Sequence, residues 1–351
     1  MVPGKPQGVV MRAARITRRN WLKLTGTAGL ATLAPTLLFR PAYGLGAKKH
    51  HRVAKTLPLM NTTVEITVLD TSRQLALEAI ESGFAAMRET IPLFDRFDPN
   101  GRIARLNQSG RLDDLPPELA TVLQRSKQLH AMSEGAFDIT VLPLLESYQR
   151  ALRRTGHPPS PESLRRTRQR TGLDRVVLSS GSVRMASGTR ITLDGIAKGY
   201  VVDAAARAIR RCGARAALIN AGGDVRAVGD KNKAPWIVGI QDPQAPGTFY
   251  QKVGLSDLAI ATSGSYANSF HDSARHNHLI SSQSGISPKR CRSASVLAPS
   301  AVLADGLSTT FFLAGPEKGL RLCGKLREVE ALILTKGNRP FASSGWRSLV
   351  V

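Results

Sequence analysis

The residues best suited to chemistry lie in one stretch, Thr192-Leu-Asp-Gly-Ile-Ala-Lys-Gly-Tyr-Val-Val-Asp203. The sequence before it predicts a turn and a β-strand, and residues 201–211 have apolar side chains at helical spacing. At such a junction, free backbone N–H groups and the positive end of the helix favour phosphate. Gly195 would let a ligand approach the backbone closely, and Lys198 would add a positive charge. An ordinary turn with a surface lysine explains the same residues equally well.

A second candidate pair is Asp305 and Thr309, which are four residues apart on a predicted helix over residues 300–312. Both side chains therefore share one helix face. A carboxylate and a hydroxyl are hard oxygen ligands of the kind that Mg²⁺ prefers. On these two residues alone, an amphipathic helix with a solvated polar face is the favoured interpretation.

Two further groups of residues could contact a ligand. Phe137 could stack on a flat ring while Asp138 accepts a hydrogen bond, although a buried Phe and a turn Asp are favoured from the local sequence. His271, His276 and His278 lie close together in the chain. Their spacing does not place all three on one face of a regular element, which favours structural or ligand-contacting histidines over a metal site.

The hydrophobic pattern predicts alternating strands and helices along most of the chain. Pro-containing residues 153–170 predict a linker and a short basic helix beginning at Ser160 or Pro161, without a domain boundary. The paired glycines of Asn220-Ala-Gly-Gly-Asp224 predict a tight turn or close approach to a ligand. We expect strands at 56–69, 175–193 (two), 215–228 (two, around the paired glycines), 236–241, 258–266 and 293–299, and helices at 73–93 (ended by Pro92), 116–132 and 300–312.

Residues 1–46 have the composition of a targeting segment. They contain seven Lys or Arg and no acid, and they include Thr17-Arg-Arg-Asn-Trp-Leu-Lys23, a twin-arginine pattern. The uncharged stretch 24–39 is too short and too rich in Gly, Ala and Thr for a membrane span. We expect a cleaved twin-arginine signal, a mature domain over 47–351 in the periplasm, and no stable membrane span after cleavage. An amphipathic first helix of the fold is the alternative.

Composition narrows the remaining function classes. The chain has 351 residues and a formal net charge of +23, but no basic face interleaved with aromatics and no zinc or RNP-type motif, so nucleic-acid binding is disfavoured. The three cysteines show no CxxC spacing, which argues against a disulfide framework or a zinc site.

Five motifs occur in an order that resembles the ApbE family of FAD:protein FMN transferases, over about residues 60–315. They are FDRFDPNGRIARLN, SEGAFDITVLP, TLDGIAKGYVVD, NAGGDVR with the later IQDP, and SVLAPSAVLADGLST. The resemblance implies an α+β, T-fold-like domain with antiparallel sheets, flanking helices and an FAD cleft. It also implies an exported, Mg²⁺-dependent enzyme that cleaves FAD, attaches FMN to a Thr or Ser of an acceptor flavoprotein, and releases AMP.

The same resemblance assigns candidate roles to particular residues. Lys198, Asp305 and Thr309 are the implied catalytic residues, and the Gly195 carbonyl joins Asp305 and Thr309 as an implied metal ligand. The implied FAD contacts are Met60, Phe97, Ala136, Phe137, Asp138, Thr192, Lys198, and the segment from His278 to Ile280.

The chain departs from the usual family pattern at three places. Asn61 stands where many relatives have Gly, and Ser281 begins a segment where many have Asp-Pro. Thr192 stands where many have Asp, and Asp194, where many have Gly, is a candidate substitute for that carboxylate in cofactor binding. An FAD pyrophosphatase that gives FMN and AMP, and a non-catalytic flavin-binding or delivery protein, are the alternative functions. The Leu-Asp-Gly-Ile-Ala-Lys variant with a twin-arginine signal resembles the branch associated with nitrous-oxide-reductase maturation.

Overall fold

The computed structural model of the protein describes residues 50–245, 247–266 and 277–351. The twin-arginine segment, the expected boundary between residues 46 and 47, and His271 and His276 lie outside these ranges, so those predictions stay predictions. The helices are α1 (Arg73–Phe94), α2 (Arg102–Ser109), α3 (Pro117–Met132), α4 (Leu142–Thr155), α5 (Pro161–Arg168), α6 (Ala197–Arg211), α7 (Ala301–Ala314) and α8 (Pro316–Cys323). Short 3₁₀ turns occur at Ile139–Val141, Leu173–Arg175 and Trp346–Leu349.

The strands form one large antiparallel sheet and two small ones, which confirms the α+β prediction. The large sheet has eight strands in the order β1-β2-β6-β7-β10-β11-β12-β13. Strands β3, β5 and β4 form a three-stranded sheet, and β8 pairs with β9. The strands are β1 (His51–Leu59), β2 (Thr62–Asp70), β3 (Arg111–Leu112), β4 (Val176–Ser179), β5 (Ser182–Met185), β6 (Ala216–Ala221), β7 (Asp224–Val228), β8 (Trp236–Gln241), β9 (Phe249–Leu255), β10 (Ala259–Gly264), β11 (Cys291–Ala298), β12 (Glu330–Thr335) and β13 (Pro340–Ala342).

The single strand predicted for residues 56–69 is wrong, because the chain reverses at Met60 and Asn61. Leu59 pairs with Thr62 across a two-residue turn in which Met60 and Asn61 have φ values of 52° and 56°. Two left-handed residues give the hairpin turn whose twist matches the flanking strands. The apolar alternation continues through this turn, so periodicity alone does not reveal it.

The helix predictions for 73–93, 116–132 and 300–312 are confirmed within two residues, but the expected break of α1 at Pro92 is wrong. Pro92 lies inside the last turn of α1, which continues to Phe94. The Phe94 ring is buried and packs edge-on against Tyr200, with ring centroids 5.4 Å apart. We attribute the continuation of the helix past Pro92 to this packing, which is a tertiary contact that the local sequence does not encode.

Strand β7 lies inside the sheet with all five residues buried, and its two faces differ. Asp224, Arg226 and Val228 alternate with Val225 and Ala227 along the strand. Val228 belongs to the main core, which also contains apolar residues of α1, α6 and α7. Val225 and Ala227 belong to a second apolar cluster on the opposite side of the sheet. The charged residues of β7 therefore share the face that α6 and α7 cover.

Helices α6 and α7 meet at their N-terminal turns. The two carboxylate oxygens of Asp203 on α6 accept the N–H groups of Ala301 and Val302, each at 2.9 Å, and so cap α7. A Cβ on Gly199 would lie 2.2 Å from the carbonyl oxygen of Ala301. Only a glycine allows this approach, which places Lys198 of α6 beside Asp305 of α7.

Candidate active site

The centre of the site is formed by Lys198 with two buried carboxylates, Asp224 and Asp305. The Lys198 ammonium nitrogen lies 3.1 Å from Asp224 Oδ2, and 32% of the Lys198 side chain is exposed. Asp305 Oδ2 accepts the Gly199 N–H at 3.0 Å. One ammonium therefore lies near two buried carboxylates, in a site open to solvent at Lys198.

Burial and mutual charge perturb all three groups. Burial, and then the charge of Asp224, raise the pKa of Asp305 well above its usual range, against the opposing effect of Lys198. Burial also raises the pKa of Asp224, which Lys198 opposes. For Lys198, burial lowers the pKa, but the charges of Asp224 and Asp305 outweigh it and the net shift is upward. A second cation nearby would favour the charged forms of both carboxylates.

The three residues predicted to bind a metal lie together. A Cβ on Gly195 would lie 3.1 Å from Thr309 Oγ1, so the Gly195 backbone lies directly against that hydroxyl. Thr309 is one turn beyond Asp305 on α7, and both are buried. Ser263 Oγ lies 3.0 Å from Thr309 Oγ1 and 2.8 Å from Ser308 Oγ. These contacts hold the Thr309 hydroxyl beside the Gly195 backbone.

This donor set suits Mg²⁺ rather than a transition metal. A carboxylate, a hydroxyl and a backbone carbonyl are all oxygen donors. The part of the chain that the structure describes contains no group of three or more His, Cys, Asp or Glu arranged to bind a metal. An oxygen set that includes a buried carboxylate therefore fits Mg²⁺, with phosphate oxygens and waters completing its shell.

Hydrogen bonds join three of the sequence motifs at this site. The Asn107 side chain donates to the Ile191 carbonyl at 2.9 Å and accepts the Ile191 N–H at 2.7 Å. The Thr192 N–H donates to the Ile139 carbonyl at 2.8 Å. Thr192 Oγ1 accepts the Asp194 N–H at 3.2 Å. The buried Thr192 hydroxyl thus closes the turn before Gly195, and its contact with FAD stays a prediction.

The segment around Phe137 and Asp138 has a structural role that the local sequence favoured. The Phe137 ring is 3% exposed and packs in the main core, so it does not offer a free face for stacking. Asp138 Oδ1 accepts the Thr140 N–H at 2.8 Å and the Thr140 hydroxyl at 2.6 Å. Ala136 is half-buried beside them. Asp138 also lines a cavity of about 570 Å³, with His130, Arg165, Arg168 and Gln283 among its other walls.

The remaining predicted FAD contacts lie on turns. Met60 is half-buried against the main core on the β1–β2 turn. This turn is adjacent to the β6–β7 turn, because a Cβ on Gly222 would lie 2.3 Å from Thr62 Oγ1. His278 is half-buried, and Ile280 is buried in a small apolar cluster with residues of α4.

The segment that starts at Ser281 keeps a closed turn without the Asp-Pro of many relatives. The Gly285 N–H donates to the Ser281 carbonyl at 2.8 Å, and the Ser281 N–H donates to the Ile286 carbonyl at 3.0 Å. The buried Tyr148 hydroxyl donates to the Gly285 carbonyl at 3.0 Å. These bonds supply the backbone restraint at this position.

Phe97 and Asp194 are joined through Arg96, a residue without a role in the sequence analysis. The Arg96 guanidinium lies over the Phe97 ring, 3.9 Å from its centroid, and its Nη2 lies 2.9 Å from Asp194 Oδ2. The Phe97 ring is 66% exposed. Asp194 therefore bonds to Arg96 next to the site.

Sequence reasoning also missed Asp224 and Ser263 as site residues. A signal for Asp224 was present, because Asp224 and Arg226 are charged residues at period two in an otherwise apolar strand after paired glycines. In a strand that is buried on both faces, such an alternation marks a polar site. Ser263 gave no comparable signal, because its role depends on β10 packing against α7.

Comparison with known proteins identifies the family. A family model described as the ApbE family matches residues 60–333. An FAD:protein FMN transferase of Haemophilus influenzae is 27% identical over 298 residues, which cover 80% of this chain and 85% of that protein. One of Vibrio cholerae is 26% identical over 341 residues, which cover 94% of this chain and 98% of that protein.

Solved structures agree with this similarity. The ApbE protein of Thermotoga maritima has a TM-score of 0.76 and 25% identity, and covers 86% of this chain and 99% of its own. The flavin transferase ApbE of Vibrio cholerae has a TM-score of 0.75 and 25% identity, and covers 86% of this chain and 100% of its own. The fold and the matched family model thus agree.

Proposed function

Because the chain belongs to the ApbE family, we propose that it is an FAD:protein FMN transferase. In this proposal it uses Mg²⁺, moves FMN from FAD to a Ser or Thr hydroxyl of an acceptor flavoprotein, and releases AMP. The observation that carries it is the meeting of Lys198, Asp224 and Asp305 beside the Gly195–Thr309 contact. A cationic side chain, buried carboxylates and oxygen donors at a helix start are what a pyrophosphate substrate requires.

Each residue of the site has a different proposed role in binding the pyrophosphate. Lys198 lies at the first turn of α6, so its ammonium and the positive end of the helix act on the same phosphate oxygens. Gly195, Asp305 and Thr309 would hold Mg²⁺, which when bound supplies positive charge that polarises a phosphoryl oxygen. Asp224 orients the Lys198 ammonium, and Ser263 orients the Thr309 hydroxyl.

In the transfer, the acceptor hydroxyl oxygen forms a bond to the phosphorus of the FMN half of FAD. The bond from that phosphorus to the oxygen of the AMP half breaks, and AMP leaves with the bonding electron pair. The hydroxyl proton passes to solvent or to a carboxylate of the site. The protein contributes mainly positioning and charge stabilisation, as is usual for phosphoryl transfer.

FAD contacts are proposed at the positions that the resemblance indicated. Met60, Thr192 and the His278–Ile280 segment lie outside the helices and strands, and Asp138 lines the cavity beside His130. Phe97 offers an exposed aromatic ring.

The test is incubation of the protein with FAD, Mg²⁺ and a candidate acceptor, followed by the intact mass of the acceptor and assay of AMP. We expect one covalent FMN per acceptor, one AMP released, and loss of both with EDTA. Free FMN and AMP with an unmodified acceptor would identify a pyrophosphatase. FAD that stays bound and intact with a competent acceptor would identify a delivery protein.

The cellular site of the reaction is proposed to be the periplasm, reached by the twin-arginine route. The Arg18 and Arg19 pair in an acid-free leader supports this. No helix in the described ranges has the length and apolar character needed to cross a membrane. We expect the Arg18→Lys/Arg19→Lys variant to accumulate as an uncleaved precursor in the cytoplasm, and fractionation with immunoblotting checks this. Normal delivery of the variant would contradict the proposed route.

A further inference from the structure

Both oxygens of the Asp194 carboxylate contact one partner, Arg96. Arg96 Nε lies 3.3 Å from Asp194 Oδ1 and 3.0 Å from Oδ2, and Nη2 lies 2.9 Å from Oδ2. This is a bidentate guanidinium–carboxylate pair, which fixes the orientation of both groups. Asp194 directly precedes Gly195, so the pair ties the turn of the site to the segment after α1.

The Phe97 ring stacks on the planar face of the Arg96 guanidinium, whose edge bonds Asp194. The guanidinium carbon lies 3.9 Å from the ring centroid, and the Arg96 side chain is only 14% exposed. Arg96 therefore contacts both Asp194 and Phe97 and connects the two. A planar guanidinium can bond a carboxylate through its edge while it stacks on an aromatic face, which an ammonium cannot do.

The backbone that carries these residues is held by two short turns. The Phe97 N–H donates to Asp95 Oδ1 at 2.8 Å, and the Asn100 N–H donates to Asp98 Oδ1 at 2.9 Å. These local bonds shape the segment 95–101, but they do not attach it to the site. Arg96 supplies that attachment through Asp194, which lies 98 positions further along the chain.

We infer that Asp194 is a positioning residue that, through Arg96, holds the exposed ring of Phe97 beside the site as a platform for the flat ring system of a flavin. The identity of the ligand rests on the proposed function, whereas the positioning of the segment 95–101 does not. In this inference Asp194 acts through Arg96, and its expected role as a substitute carboxylate in cofactor binding stays a prediction. A single ion pair with a half-exposed carboxylate adds little to global stability, so we expect its effect to be local.

The experiment compares Asp194→Asn, Phe97→Ala and the double variant in full-length mature protein. The FAD dissociation constant is measured by quenching of flavin fluorescence, and hydrogen exchange of segment 94–101 is followed by mass spectrometry. We expect each single variant to weaken FAD binding by roughly fivefold, the scale of one lost aromatic stack. The double variant should bind no more weakly than Phe97→Ala, because both changes remove the same platform.

Two further variants sharpen the test. Arg96→Lys keeps the charge but loses both the bidentate bond and the stack, so it should behave like Asp194→Asn. Glu81→Gln breaks another exposed ion pair, Lys55–Glu81, and serves as the matched control. We expect the control to leave FAD affinity and exchange of segment 94–101 unchanged, while Asp194→Asn speeds that exchange.

Three results would overturn the inference. In the first, the effects of Asp194→Asn and Phe97→Ala on FAD affinity add fully. In the second, Asp194→Asn weakens Mg²⁺ binding, measured by calorimetry with the metal alone, which would make Asp194 a metal residue. In the third, exchange of segment 94–101 is unchanged in Asp194→Asn. If wild-type protein binds no FAD, the proposed function fails, and hydrogen exchange still decides whether Asp194 positions the segment.

Discussion

Strand β7 separates two regions of the molecule that differ in chemistry although both are buried. On the side of α6 and α7, Asp224 and Arg226 face Lys198 and Asp203. On the other side, Val225 and Ala227 lie in an apolar cluster with residues of the β8–β9 hairpin and the C-terminal 3₁₀ turn. The helical face accepts buried charges that cost stability, and the hairpin face consists of apolar contacts that supply it. The difference predicts that activity and stability can be damaged separately.

The largest expected effect is on the hairpin face, at Trp346. Its side chain is almost fully buried, and Nε1 donates to Gln251 Oε1 at 3.0 Å. Trp346→Ala should lower the free energy of unfolding by about 3–5 kcal/mol, because it removes a large buried aromatic and leaves a cavity. Chemical denaturation measures this loss. FMN transfer per folded molecule should stay near wild type, and a fall in both quantities together would contradict the separation of the two regions.

The next effect is on the helical face, at Asp305. Asp305→Ala removes the carboxylate proposed to hold Mg²⁺, and we expect FMN transfer to fall by roughly a hundredfold, which corresponds to about 2.7 kcal/mol of transition-state stabilisation. FAD affinity should change much less, because most of the proposed FAD contacts lie elsewhere. Stability should stay level or rise, since a buried carboxylate that crowds Asp224 is gone. Transfer rate, FAD affinity and thermal unfolding are measured side by side, and an active variant with EDTA-insensitive transfer would reject the metal site.

The sequence predicted local features of the helical face better than its long-range contacts. The helix that begins at Ala197 and the helix with Asp305 and Thr309 follow from hydrophobic spacing, which depends on neighbours along the chain. The strand expected directly before Thr192 is wrong, because β5 ends at Met185 and residues 186–196 contain no strand. The ion pair between Lys198 and Asp224 depends on how β7 is placed under α6. The bond between Arg96 and Asp194 likewise depends on where the segment after α1 meets the turn of the site. No single-sequence pattern encodes either placement.

The sequence patterns predicted the elements of the hairpin face less completely than those of the helical face. The strand at 236–241 was predicted, but the C-terminal turn with Trp346 was not, because it is a short 3₁₀ segment without periodicity.

Outside the hairpin face, helix α4 was also missed, since Pro143 lies at its start and its apolar residues follow a Gly-containing stretch. The β1–β2 turn was missed because Met60 and Asn61 lack the glycine that usually marks such a turn.

The third prediction concerns the contact between α6 and α7. Gly199→Ala would place Cβ 2.2 Å from the Ala301 carbonyl oxygen, which is backbone and cannot move without shifting α7. We expect a loss of about 1–3 kcal/mol in the free energy of unfolding and a fall in transfer, because Lys198 and Asp305 would separate. Gly306→Ala on α7 is the matched control: its Cβ would meet the flexible Leu129 Cδ1 at 2.4 Å, which can turn away. Equal losses of unfolding free energy and of transfer rate in both variants would show that the close approach of α6 to α7 is not what these quantities depend on.

The smallest expected effect tests which atom of Thr309 matters. Thr309→Ser keeps the hydroxyl beside Ser263 and Gly195 and loses only the methyl, which a Cβ on Gly195 would approach to 3.2 Å. Its transfer rate and Mg²⁺ affinity should stay within about twofold of wild type, well under the 1.4 kcal/mol of a tenfold change. Thr309→Val keeps the shape but loses the oxygen donor, so both the rate and the Mg²⁺ affinity should fall by roughly tenfold. Mg²⁺ titration with the metal alone separates loss of a ligand from loss of packing. A Thr309→Val variant with unchanged transfer rate and Mg²⁺ affinity, or a Thr309→Ser variant with both reduced, would show that Thr309 acts through its methyl group and not through its oxygen. Thr309 would then contribute by apolar packing, as the residues on the hairpin face do.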